Sequence, residues 1–282
     1  MALPRKNVDP DFGRGSIFFV GTATVMIRYA GFTILTDPNF LHAGDHVHLG
    51  YGLTSVRKTE PAVEIEDLPS LDFVLLSHLH GDHFDRVVER KLNRATPIIS
   101  TLHASRYLQK VGFTQTHSLE SWESIDVGKG EASLRLTAMP GTHGPGLFGA
   151  VLPPVMGSML DFGSEAGDHR LRMYISGDTL MHDRLREIPR RFPDVDLALL
   201  HLGGTKVLGI VVTMDAEQGL EAMRIVDART TLPIHYNDYE AFKSPLEDFK
   251  QAVREADLED RVHYLAHGDT YEFETKSAPA KD

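Results

Sequence analysis

Leu71-Asp72-Phe73-Val74-Leu75-Leu76-Ser77-His78-Leu79-His80-Gly81-Asp82-His83 is the stretch on which the architecture turns. Its first half, Leu71–Leu76, is a short apolar run suited to a strand buried on both faces. Its second half holds three imidazoles and a carboxylate within six residues. Residues two apart on an extended chain point the same way, so His78 and His80 share a side. The chain then turns at Gly81, and Phe84–Leu92 reads as a helix. Imidazole and carboxylate together suit zinc, iron or manganese, and α/β proteins place their sites at the ends of buried strands. The bland alternative is a polar surface loop in a chain with 15 histidines. Spacing and position after a buried strand both weigh against it.

Working outward, Ser16–Val20, Thr22–Tyr29 and Phe32–Thr36 read as strands before the cluster, with a break at Gly21 and a turn at Ala30-Gly31. After it come a helix over His103–Val111 and strands at Ser133–Ala138, Met156–Asp161, Leu171–Ser176, Leu197–Leu200 and Thr231–Ile234. Asp215–Val226 has helical spacing with Asp215 as its cap. Ser244-Pro245-Leu246-Glu247 reads as a capping box with Pro at the first helical position. Asn39–Pro61 is polar and glycine-containing and reads as a long loop, a kind of segment that is often functional. No linker divides the chain. The expected organisation is an irregular arm over 1–15, one α/β domain over 16–275 with helices outside the strands, and a tail over 276–282.

Composition narrows the function. A chain of 282 residues, 41% apolar, can bury a substantial core. A formal charge of -11 argues against an extended nucleic-acid footprint. With no cysteine, disulfides, thiolate ligands and a Cys nucleophile are excluded. No apolar stretch approaches the roughly 20 residues of a membrane span, and the first residues lack a signal-peptide core. A soluble, cytoplasmic protein acting on a small molecule is expected, with its oligomeric state open.

Four ligand-type residues cannot close two metal spheres, so further donors are expected at later strand ends. Three residues qualify: His143 in Pro140-Gly141-Thr142-His143-Gly144, Asp178 in Ser176-Gly177-Asp178-Thr179, and His235 after Leu232-Pro233-Ile234. Each alone suits a turn-forming Asp or a hydrogen-bonded loop His equally well. Together with the cluster they point to a metal site.

This ordered set resembles the metallo-β-lactamase superfamily, whose signature is H-x-H-x-D-H followed by a lone His, a lone Asp and a last His. The likeness runs from about Ser16 to the end, and Asp37 in Leu35-Thr36-Asp37-Pro38 matches the first motif. It implies an αββα four-layer sandwich, two mixed β-sheets face to face with helices outside. Carried over by position, His78, His80 and His143 would hold one metal. Asp82, His83 and His235 would hold a second, with Asp178 bridging and Asp37 orienting the metal loop. The presence of Asp178, often Cys in the antibiotic-hydrolysing zinc members, argues against β-lactam hydrolysis. His80 stands where flavodiiron proteins have Glu. Phe19-Val20-Gly21-Thr22-Ala23-Thr24 with Ile34–Pro38 resembles the branch of the L-ascorbate-6-phosphate lactonases and N-acyl-phosphatidylethanolamine phospholipase D.

The expected cofactors are two divalent ions, zinc first, with manganese or iron as alternatives. The expected reaction is hydrolysis of an ester-like bond, lactone or phosphodiester, in a small anionic substrate by a hydroxide bridging the ions. Asp82 and Asp178 are the expected catalytic carboxylates. Asn39–Pro61 is expected to control access, with His48, Tyr51 and Arg57 as candidate substrate contacts and His201 beside the site. The competing classes are an iron-dependent redox protein and a metal-binding module without turnover.

Overall fold

The computed structural model describes residues 1–3, 10–49, 54–149, 152–164 and 168–275. Two large mixed sheets face each other. The first has seven strands, in spatial order Thr270–Glu274, Arg14–Gly21, Thr24–Tyr29, Phe32–Thr36, Phe73–Leu75, Ile98–Ser100 and Thr116–Ser118. The second has six: Thr230–Ile234, Leu197–His201, His169–Ile175, Met156–Ser164, Ala132–Pro140 and Ser124–Lys129. Each sheet is antiparallel in one part and parallel in the other, the parallel part starting at the Phe32–Thr36/Phe73–Leu75 pair and at the His169–Ile175/Leu197–His201 pair.

The parallel strands show why the apolar runs are continuous. Phe73 and Leu75 face the core between the sheets, while Val74 and Leu76 face an outer core under the helices Arg86–Lys91 and Leu102–Lys110. Leu197 and Leu199 likewise face inward, and Ala198 and Leu200 pack under the helices Ala216–Val226 and Leu246–Glu255. A strand between two apolar layers has no polar face to present. Each Leu, Ile or Phe so buried contributes about 1.5–3 kcal/mol. The layers run helix, sheet, sheet, helix, as expected for the αββα sandwich.

Several element ends shift by one to three residues from the sequence expectation, and three departures change the local reading. The first strand begins at Arg14, two residues before Ser16, and residues 2 and 3 already lie along Gly128 of the second sheet's edge strand. Asn39–Pro61 contains a hairpin, His46–His48 paired with Thr54–Val56. No capping box forms at Ser244: Pro245 occupies the N-cap of Leu246–Glu255 without a side-chain bond. The Ser244 hydroxyl instead accepts from the Ala216 amide, 3.1 Å away, at the start of the neighbouring helix. Tertiary packing thus redirected a local capping group. The expected tail at 276–282 lies outside the described residues. Among the described residues no helix is long and apolar enough to cross a membrane.

At one edge the sheets are joined by a buried ion pair. Lys129 donates to the Asp72 carboxylate and to the Gly31 carbonyl, and Asp72 also accepts from the Thr33 amide at 2.7 Å. Lys129→Met should lower stability by about 3–5 kcal/mol, because Asp72 is left as an uncompensated buried charge. Pairing it with Asp72→Leu should recover most of that loss, measured by urea unfolding.

A second pair, His267 and Asp238 at 3.1 Å, ties the C-terminal segment to the loop after His235. Burial opposes both charges. Even so, the hydrogen bond and charge of each partner raise the His267 pKa and lower that of Asp238. The Asp238 contribution exists above its unfolded pKa of about 3.9 and is lost as pH falls through the folded one. The His267 contribution is full below about pH 6.5 and is lost as pH rises through its raised value. The melting difference between the protein and His267→Gln should therefore peak between those limits and shrink at alkaline pH; a difference independent of pH would refute the ion pair.

Candidate metal centre

Strand direction sets the site. Phe32–Thr36 and Phe73–Leu75 of one sheet run parallel, as do His169–Ile175, Leu197–His201 and Thr230–Ile234 of the other. Ala132–Pro140 runs the same way as His169–Ile175, since both are antiparallel to Met156–Ser164. The residues just beyond these ends meet where the sheets are laced together by Met156 N–H to Ser77 O, 3.0 Å, and His235 N–H to Thr22 O, 2.6 Å. Asp37, the cluster residues His78, His80, Asp82 and His83, and His143, Asp178, His201 and His235 all arrive there, each no more than 9% exposed.

Three groups of donors lie close enough to hold a metal: His78, His80 and His143; Asp82, His83, Asp178 and His235; and Asp37, His83 and His201, which shares His83 with the second. In the first, Nε2 of His78 and Nε2 of His143 lie 3.0 and 3.2 Å from Nδ1 of His80. In the second, Nε2 of His235 is 3.4 Å from Oδ2 of Asp82, and Nε2 of His83 is 3.4 Å from Oδ2 of Asp178 and 3.9 Å from Oδ2 of Asp82. Oδ1 of Asp82, Oδ1 of Asp178 and Nε2 of His83 are buried without a hydrogen-bond partner. Unpaired buried donors and acceptors are costly, and three of them within one donor group fit a bound cation. The all-nitrogen group and the mixed nitrogen–oxygen group are both of the type that zinc, iron or manganese takes.

A surrounding layer aims these atoms. The Val212 carbonyl is 3.0 Å from Nδ1 of His143, and the Leu202 carbonyl 3.0 Å from Nδ1 of His235. A carbonyl only accepts, so each imidazole keeps a proton at Nδ1 and turns Nε2 toward the site. Ser77 Oγ lies 2.9 Å from Nδ1 of His78 and 3.4 Å from Nδ1 of His83. Thr213 donates to Oδ2 of Asp178 at 2.8 Å. Asp37 accepts from the Ser77 amide at 2.7 Å, and its Oδ2 lies 3.5 Å from Nδ1 of His83 and 3.4 Å from Nε2 of His201. Asp37 and His201 thus sit behind His83, on the side away from the other donors. Asp37 and His235 hold left-handed backbone, φ 35° and 61°. Such strain costs of order 1–3 kcal/mol per residue; at His235 the bonds to Thr22 and Leu202 hold it.

Charge divides the groups. Burial, with the neighbouring imidazolium charges, pushes His78 and His143 down and His80 to about 3. These three present neutral nitrogens at neutral pH. In the second group burial opposes ionisation, but His83 and His235 hold Asp178 and Asp82 below the usual carboxylate range. The same carboxylates, led by Asp178, outweigh burial and raise His83 and His235. Those protons occupy positions a divalent cation would take, so loading should release them.

The other expected contacts are scattered. His48 is exposed on the hairpin, whose backbone covers the metal loop: a Cβ on Gly81 would stand 2.6 Å from Val47 Cγ2 and 2.8 Å from His48 O. Arg57 is 1% exposed and bonds Asn39 and the Thr59 carbonyl, so it braces the loop from within and does not face solvent as a substrate contact. Asn39 in turn donates to the Gly81 carbonyl at 3.0 Å. Tyr51 lies outside the described residues. Thr213, Ser77 and the Val212 and Leu202 carbonyls had no sequence signal, because backbone acceptors and single hydroxyls look the same everywhere in a sequence.

Residues 32–236 match the family described as the β-lactamase superfamily domain. A UPF0173 metal-dependent hydrolase of Pelotomaculum thermopropionicum is 30% identical over 204 residues, 72% of this chain and 82% of that protein. Among solved structures, isothiocyanate hydrolase from Delia radicum gut bacteria superposes with a TM-score of 0.76 at 20% identity, covering 92% of this chain and 99% of that one. CmlA, a diiron β-hydroxylase from Streptomyces venezuelae, superposes at 0.66 with 16% identity over 92% of this chain and 54% of its own. These two structures share the fold.

Thr213→Val and Asp37→Asn should each weaken metal binding about 10- to 100-fold while the circular dichroism spectrum is retained. Competition against a chromophoric chelator measures it, and unchanged affinity in both variants would remove the orienting role.

Proposed function

The chain belongs to the β-lactamase superfamily and its UPF0173 metal-dependent hydrolases, and from that premise we propose that it cleaves an ester-like bond, lactone or phosphodiester, at a two-ion centre. The observation that carries this is the pair of adjoining donor groups, three imidazoles beside two imidazoles and two carboxylates. His78, His80 and His143 are assigned to one ion, Asp82, His83 and His235 to the other, and Asp178 to both. Zinc is the first choice, with manganese or iron as alternatives. The early-strand motif with Asp37 keeps the lactonase and phospholipase D branch as the favoured neighbourhood.

When bound, such ions make an activated water available near neutral pH and polarise the substrate oxygen. The rest falls to the chain. His143 and His235 each keep a proton on Nδ1 against a carbonyl, so Nε2 is the nitrogen each would offer to a metal, in His235 after losing the second proton that its raised pKa holds there. Thr213 fixes one oxygen of Asp178 and leaves Oδ1 without a hydrogen-bond partner. Oδ1 of Asp82, equally unpartnered, is the group placed to take a proton from water or pass one to the leaving oxygen. In balance, the C–O or P–O bond breaks, the acyl or phosphoryl atom gains hydroxyl from water, and the leaving oxygen gains the proton. Cysteine is absent, so no thiol nucleophile competes with water.

Reconstituted protein should approach two metal equivalents by elemental analysis, and a fully active species at one equivalent would overturn the two-ion assignment. His78→Ala and Asp178→Ala should abolish hydrolysis across a panel of lactones and phosphodiesters, since each removes a ligand. The sandwich core lies away from the ligands, so both should keep their dichroism. Oxygen consumption without hydrolysis by iron-loaded protein would favour the redox alternative.

A further inference from the structure

Beside the metal loop lies a cavity of about 750 Å³, within the range of small-molecule sites. Of the seven assigned ligands His80 alone lines it, so it adjoins the centre on that side. Its walls come from the hairpin His46–His48, the start of the helix Arg86–Lys91, one face of Leu102–Lys110 and the segment 152–154. Leu41, Val47, Leu79, Phe84, Leu152 and Pro153 make the surface largely apolar.

The charged residues along it are already engaged. Asp85 accepts from the amides of Phe40, Leu41, Val87 and Val88, capping a helix and pinning the loop. Arg86 is bound to Asp45 and to the His46 carbonyl. Glu89 accepts from the Tyr107 hydroxyl at 2.6 Å. Arg57, expected from the sequence to be a substrate contact, is buried and does not line the cavity, whereas His48 does. Among the described lining residues Arg86 is the one Lys or Arg, and its charge is met by Asp45; His46, His48 and His103 also line the wall, and apolar surface exceeds the polar.

We propose that this cavity takes the apolar arm of a neutral substrate, an alkyl or aryl group carried by a carboxylic ester or lactone, with the scissile bond at the His80 end. The proposal narrows the ester-hydrolase reading and rests on it for the bond that is cut. The arm supplies binding energy and the metal face supplies the reaction, so substrate choice is by shape and apolar area.

Two measurements test it separately. Metal-free protein titrated calorimetrically with butanol, hexanol and octanol should bind about fourfold more tightly per added methylene. Pro153→Asp, which sets a carboxylate in the half-buried wall, should weaken octanol about tenfold or more with an unchanged melting temperature. Metal-loaded protein should then cleave neutral esters with kcat/KM rising by a similar factor per methylene, ahead of phosphodiesters carrying the same alkyl groups. Alkanol binding that ignores chain length or Pro153→Asp, or a preference for the phosphodiesters, would overturn the apolar-arm proposal and leave the hydrolase reading standing. Chain-length-dependent alkanol binding with no turnover of any ester would support the cavity assignment and bring down the ester reading instead.

Discussion

Two carboxylates buried among imidazoles govern this molecule. Asp82 and Asp178 are each 2% exposed, at the joint between two sheets. Charge in such a place is tolerated only when opposite charge or a cation meets it. His83 and His235 provide that charge as protons in the protein alone, and a divalent cation would provide it more fully. The same demand explains the surrounding carbonyls, hydroxyls and Asp37, which leave each donor atom one direction in which to act.

The sandwich serves that demand. Parallel strands from both sheets end at a common edge, so ligands far apart in sequence arrive within a few ångströms without long arms. His83 and His235 are separated by most of the chain, yet their ring centroids are 4.9 Å apart. The backbone pays locally for this convergence, at Asp37 and His235, and apolar layers on either side of the sheets hold it in place.

Around this rigid centre the variable parts are peripheral. The hairpin His46–His48/Thr54–Val56 lies so close on Gly81 that a side chain there would collide with it. Asn39 and Arg57 brace it from beneath. Loop, helix and segment 152–154 then form a largely apolar chamber whose charged groups are held by backbone amides, Asp45 and the Tyr107 hydroxyl. Metal chemistry and substrate selection are thereby carried by different elements, which allows one to change without the other.

The apolar runs with their caps, and the order of His and Asp after them, were legible in the sequence because they are local. A strand between two apolar layers must be apolar throughout, and ligand residues at strand ends keep their order along the chain. Asp85 and Asp215 both serve as helix caps, though only Asp215 had been singled out as one; Ser244 looked like a cap for its own helix and caps another's, because the partner was set by packing. Arg57 was read as a substrate contact, yet Asn39 at the other end of the same loop binds its guanidinium in the interior. The ring nitrogen each histidine presents, the role of Thr213 and the apolar character of the chamber depend on which backbone carbonyl or side chain lies opposite. That is a property of how the sheets and helices meet, and no single stretch of the chain contains it.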